Sequence, residues 1–238
     1  MLHDQVLAMC ELMNDLLYRK IPKNRYKYYV EQSLSFGRQA ACRMKEIYGL
    51  LKLEQIYRDS GIEIVYEEKS SKNYGVSFRA QSEYGKDGSA KVVIYRDSIE
   101  LLASKSKIGE PSLEISDEGL DVQTALDVHL AHEYFHYLEH QSSEIQDENT
   151  ENIYDKGYVS DYLEPVTLFS FLGYRRKGSI LRCSEIAAHA FAKELMQLPV
   201  LPNYYDYVYL INEKRMGLED FREMLKENKK AVFVSDTD

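Results

Sequence analysis

Cysteine is scarce in this 238-residue chain. Cys10, Cys42 and Cys183 are far apart and form no Cys-x-x-Cys pair. That pattern suggests neither a disulfide framework nor a thiolate zinc site, and favours reduced, mostly buried thiols. Positive charge is in deficit too: 30 Lys and Arg stand against 39 Asp and Glu, a formal net charge of −9. A general nucleic-acid binder needs clustered cations against phosphate, so no direct nucleic-acid contact is expected. Long apolar runs are missing, and nothing approaches the ~18 uncharged residues of a membrane span. The first 20 residues carry Asp4, Glu11 and Asp15, with no basic segment ahead of an apolar run. That is not the pattern of a secretory signal. The expectation is a cytoplasmic protein with no membrane partner. Hydrophobic residues make up 44 % and charged residues 29 %, the balance of a globular chain long enough for a sizeable core.

Apolar residues at helical spacing predict a helix over 2–18, broken near Pro22, and a long helical region over 28–58 interrupted near Gly37 or Gly49. Gly61 is the stop signal. The period then changes to alternation. Strands are predicted over 62–66, 76–81 and 91–95, with turn chemistry over 70–74 and 83–88. A short helix from Asp97 and a surface loop over 105–120 follow. Residues 121–140 form a helix. Residues 141–161 are polar and acidic and read as a mobile loop, with 144–161 a candidate lid. Residues 166–174 are apolar and are closed by Arg175-Arg176-Lys177-Gly178. A strongly helical run over 182–198 is ended by Pro199 and Pro202, and a last helix covers 217–228.

The helix over 121–140 carries the chemistry. It contains His132-Glu133-Tyr134-Phe135-His136, a His-Glu-x-x-His pattern. At about 100° per residue, His132 and His136 lie some 40° apart on one face, so both imidazoles can reach one metal ion. Glu133 falls beside the pair, where it can hydrogen-bond a water without being a ligand. Val128, Ala131, Phe135 and Leu138 make one apolar flank, and Leu126, Leu130, Tyr134 and Tyr137 the other. The helix is therefore buried, and its polar stripe needs partners. The inverted pattern His136-Tyr137-Leu138-Glu139-His140 overlaps the first. His136 is common to both, and its fellow ligand is His132 or His140. His132 is favoured, because His140 adjoins the polar loop near the helix end. His129 and His140 are then supporting residues, or satisfied core ones.

A catalytic zinc site wants three protein ligands and an open position. Glu185 opens an apolar, alanine-rich helix, with Ala188 and Ala192 beside it to admit another helix. A buried carboxylate there is paired or metal-bound, the alternative being a dipole role at the helix start. His189, one turn on, is a further candidate ligand, but the reading favoured is that it supports Glu185 or a substrate group.

These two segments together resemble the ImmA/IrrE-type zinc metallopeptidases. The chain has Ala131-His132-Glu133-Tyr134-Phe135-His136, then Glu185, Ala188, Phe191, Ala192, Leu195 and Met196 in the family's order. His189 stands where the family often carries Asn. The resemblance spans about residues 35 to 200. It implies an α+β fold, mostly helical, with a small β-sheet packed near the His-Glu-x-x-His helix. It divides the chain into an N-terminal helical extension (1–35), the metallopeptidase domain (36–200) and a C-terminal helical segment (201–238) on the same domain. It implies Zn2+ on His132, His136 and Glu185, with Glu133 as general base. The substrate would be a protein or peptide, a cytoplasmic transcriptional repressor being one candidate. A non-catalytic metal-binding sensor or protein-interaction module on the same fold is the alternative, and a metal-free cluster of buried histidines and carboxylates is a third. The sequence sets no oligomeric state.

Overall fold

In the computed structural model, which describes residues 3–49, 52–69, 78–86, 88–107, 119–144, 154 and 157–233, helices predominate. They are α1 (Asp4–Met13), α2 (Tyr26–Tyr48), α3 (Leu53–Asp59), α4 (Arg96–Lys105), α5 (Val122–Glu144), α6 (Val159–Tyr162), α7 (Arg182–Met196), α8 (Asn203–Asn212) and α9 (Leu218–Phe233). The strands are β1 (Ile62–Glu67), β2 (Ala80–Tyr84), β3 (Ala90–Tyr95), β4 (Val166–Phe171) and β5 (Tyr174–Gly178). The fold is α+β and mostly helical, as expected.

Helix α7 lies between α2 and α5 and packs on both. Its approach to α2 depends on Gly37. A Cβ there would stand 2.0 Å from the Ala187 carbonyl oxygen and 2.9 Å from the Ala190 Cβ. Of the two interruptions weighed, at Gly37 or at Gly49, the structure has the second: α2 runs through Gly37 and ends at Gly49, whose φ is +61°. The neighbouring helix thus meets α7 at Ala187 and Ala190, while Ala188 and Ala192 are fully buried. Both flanks of α5 are covered as its sequence requires. Val128, Leu130, Ala131, Tyr134 and Phe135 are buried, and Phe135 packs on Phe191 of α7.

The first sheet has the order β1-β3-β2, with β1 and β3 parallel and β2 antiparallel to β3. The second strand was expected over 76–81 and a turn over 83–88. Pairing of Ala80 with Ile94 through Tyr84 with Ala90 instead extends β2 through Glu83 and Tyr84, and the turn begins at Gly85, whose N–H bonds the Ser89 carbonyl at 2.8 Å. The apolar run over 166–174 and the basic residues after it form an antiparallel hairpin, β4–β5, turning at Leu172 and Gly173.

Helices α1, α2, α5, α7, α8 and α9 feed one hydrophobic core. The division expected between residues 35 and 36 falls inside α2, which is unbroken there. Of the acidic stretch 141–161, the start belongs to α5 and the end forms α6. The rest of that stretch, expected as a loop and a candidate lid, lies outside the described residues apart from Tyr154, Gly157 and Tyr158, as do the turn over 70–74 and most of the loop over 105–120. Among the described residues no helix is long and apolar enough to cross a membrane.

Candidate metal centre

One helical turn separates His132 from His136 on α5, and their Nε2 atoms stand 3.2 Å apart. Helix α7 brings Glu185 to the same point. Its Oε2 lies 3.3 Å from His132 Nε2 and its Oε1 lies 3.7 Å from His136 Nε2. A tetrahedral ion with bonds of ~2.0–2.1 Å holds its ligand atoms about 3.3–3.4 Å apart. The three residues can therefore hold a metal ion with little movement.

Glu139, which the sequence reading treated only as part of the inverted pattern, has a different place. It is fully buried. One oxygen lies 3.0 Å from His136 Nδ1, and the other accepts the Val159 N–H at 2.8 Å. A donor bond from Nδ1 to that carboxylate turns the His136 Nε2 toward His132 and Glu185, where it offers its lone pair once the ring has lost its second proton. His140 turns away. Its ring stacks on Tyr84 at 3.9 Å between centroids, and its Nδ1 lies 3.2 Å from the Tyr158 hydroxyl. His136 is thus grouped with His132, and Glu139 sits behind the cluster on its Nδ1 side.

Electron pairs converging on one point call for a positive charge. Burial lowers the His136 pKa, but the hydrogen bond to Glu139 and the charges of Glu185, Glu139 and Glu133 outweigh it and raise it to about 9. Burial by itself raises the Glu185 pKa, yet the His132 hydrogen bond and the nearby imidazoles hold its carboxyl well below the usual range. The outer histidines behave oppositely. Burial, with Arg79 nearby, pushes His129 down to about 3, and its Nδ1 lies 2.7 Å from the Ala125 carbonyl. Burial and His132 push His189 far below its ordinary value. The His189 ring is 4.7 Å from that of His132, and its buried Nδ1 has no hydrogen-bond partner among the described residues.

A cleft of about 350 Å³ opens beside the cluster and is lined by His132, Glu133, Glu185 and His189 among others. Glu133 is not a member of the ligand group. Its Oε2 accepts the Ser82 hydroxyl of β2 at 2.6 Å. The far wall carries two ion pairs, Arg182–Glu11 at 2.8 Å and Arg79–Asp206 at 2.5 Å. Sequence reasoning missed Glu11 and Asp206 because α1 and α8 lie outside both motifs. A larger cavity of about 640 Å³, between Tyr48, Lys52 and Met196, holds none of the three cluster residues, so the smaller cleft is the candidate site.

Glu139→Gln keeps the shape and removes the charge behind His136. Metal affinity should fall about 10–100-fold, read by calorimetric titration. An unchanged affinity would mean that Glu139 serves the Val159 amide alone. Compared with protein-family models, with curated proteins and with solved structures, the chain matches none.

Proposed function

We propose that this protein is a zinc-dependent peptidase acting on proteins or peptides, a reading in line with its resemblance to the ImmA/IrrE-type metallopeptidases. The observation that carries it is the convergence of His132, His136 and Glu185 beside a carboxylate, Glu133, that faces the same cleft without joining them. Two imidazoles and one carboxylate are a donor set suited to zinc. Bound there, zinc would lower the pKa of a water toward ~7 and polarise a carbonyl.

The chain's own groups supply the rest. Ser82 holds one oxygen of Glu133, which leaves the other to accept a proton and deliver it to a departing amine. Glu139 fixes His136, and neutral His189 lines the wall beside His132 without adding charge. A sensor or interaction module needs the ligands but not a hydrogen-bonded, non-ligating carboxylate in the cleft, so Glu133 favours catalysis. A cytoplasmic repressor as substrate rests on the family resemblance alone.

Metal analysis of the purified protein tests the reading. About one equivalent of zinc per chain is expected after reconstitution. Its affinity should depend on pH with a definite sign. His136, raised to about 9 in the metal-free protein, adds stability below ~6.5 that is lost as pH rises through ~9. Zinc must displace that proton, so apparent affinity should climb up to about tenfold per pH unit toward pH 9. No bound zinc, manganese or iron at any pH would end every metal reading of the site.

A further inference from the structure

No residue of the β4–β5 hairpin lines the cleft, and its surface combines exposed apolar and cationic side chains. Its root is anchored: Val166 is buried, Leu168 packs against the core, and Gly178 faces Leu17 and Leu168. Beyond the root every residue from Phe169 to Lys177 is exposed, on both faces. Phe169, Phe171, Leu172 and Tyr174 are 54 %, 61 %, 90 % and 66 % exposed. A two-stranded hairpin is marginal in water by itself, and this one leaves its large apolar side chains outside.

The order along the hairpin is informative. Leu172 and Gly173 form the tip. Phe171 and Tyr174 pair in the first row, Ser170 and Arg175 in the second, Phe169 and Arg176 in the third, and Thr167 and Lys177 behind them. Rows are ~3.3 Å apart, so the cations begin about 5–10 Å behind an apolar tip. That is the depth to which apolar groups enter the boundary between lipid headgroups and chains. Arg175, Arg176 and Lys177 form no ion pair among the described residues. They are a local cationic band on a chain of net charge −9.

We propose that the β4–β5 hairpin docks this protein on an anionic lipid surface, with Phe171, Leu172 and Tyr174 entering the headgroup region and Arg175, Arg176 and Lys177 meeting lipid phosphates. A second copy of the chain is disfavoured, since pairing tip to tip brings the two cationic bands together. A nucleic acid is disfavoured because a long polyanion lying along the hairpin would run against an acidic body, the chain carrying a net charge of −9. A bilayer meets only the tip. The hairpin holds the body off by about 10 Å, close to one Debye length at ~0.1 M salt. No membrane contact was expected from the lack of a spanning run, but a docking tip needs no span. The inference is independent of the metal site. Because β5 leads into α7, whose Arg182 lines the cleft, docking would set the distance of the cleft from the surface.

Co-sedimentation of the full chain with vesicles tests it, using phosphatidylcholine alone and phosphatidylcholine mixed equally with phosphatidylglycerol. Binding is expected only to the mixed vesicles, and high salt should weaken it. Leu172→Asp, at an open position where Asp tolerates the positive φ, should lower partitioning more than about tenfold. Arg175→Ser with Arg176→Ser should lower it about 30-fold, since each cation near such a surface is worth about fivefold. Circular dichroism and melting should not change in these exposed variants. Several results would overturn the proposal: no binding to mixed vesicles, equal binding to neutral ones, or indifference to Leu172→Asp. So would a dimer that Leu172→Asp dissolves, or single-stranded oligonucleotide binding that the arginine variant abolishes while vesicles are ignored.

Discussion

Replacing Glu133 with glutamine should remove peptide hydrolysis and leave zinc bound. Glu133 lies outside the ligand group, and its neighbour His132 is held by Glu185 at 3.3 Å. The amide keeps a carbonyl oxygen for the Ser82 hydroxyl, which now bonds Oε2 at 2.6 Å, so the side chain need not move. What it loses is the ability to take up a proton. A positioned general base is worth about 10²–10⁴ in rate, and a loss in that range is expected in kcat/KM. The assay is cleavage of a randomised peptide library read by mass spectrometry, followed by kinetics on whichever peptide is cut. Zinc content is measured on the same samples. Equal turnover in both proteins would refute Glu133 as the base. Loss of zinc along with activity would make Glu133 a structural support of the centre instead. Retained zinc with lost cleavage separates a peptidase from a metal sensor.

The parts of this site that could be read from sequence are those fixed by local geometry. His132, Glu133 and His136 share one helix, and helical spacing alone sets their relative directions. Glu185 was legible for a different reason: a carboxylate within an apolar, alanine-rich run has to be paired. Glu139 was in view as a neighbour of His140, but its burial and its bond to the Val159 amide depend on a segment twenty positions on. Ser82 was hidden by strand register. Only pairing with β3 carries β2 through Tyr84, and that pairing is non-local. The β4–β5 hairpin escaped detection because a strand shows its period when one face is buried. Here both faces are exposed beyond the root, and the register shifts between Thr167 and Phe169. Gly37 and Gly49 were alternative interruptions of the helical region, because local propensity disfavours glycine within a helix, and nothing local told the two apart. The actual use of Gly37, admitting another helix, is invisible without that helix.

Gly37→Ala should therefore damage both the fold and the metal centre. The added Cβ would lie 2.0 Å from the Ala187 carbonyl oxygen, a backbone atom that cannot rotate aside. Relief requires α2 and α7 to separate by roughly 1 Å, and overpacking of this kind costs about 1–3 kcal/mol or more. A better helix former at an interior position returns only about 1 kcal/mol of that. Glu185 rides on the same helix, two positions before Ala187, while its partners His132 and His136 ride on α5. A metal centre tolerates ligand displacements of about 0.2 Å, so a shift of roughly 1 Å should lower zinc affinity more than tenfold. Gly49→Ala is the control. Gly49 has φ +61° and no described residue within 4 Å of an added Cβ, so alanine there is strained by about 1–3 kcal/mol without pressing on α7. Denaturant unfolding of the metal-free proteins should show both variants destabilised, and zinc titration should show only Gly37→Ala weakened. Equal zinc affinity in the two variants would mean that the position of α7 against α2 does not govern the third ligand.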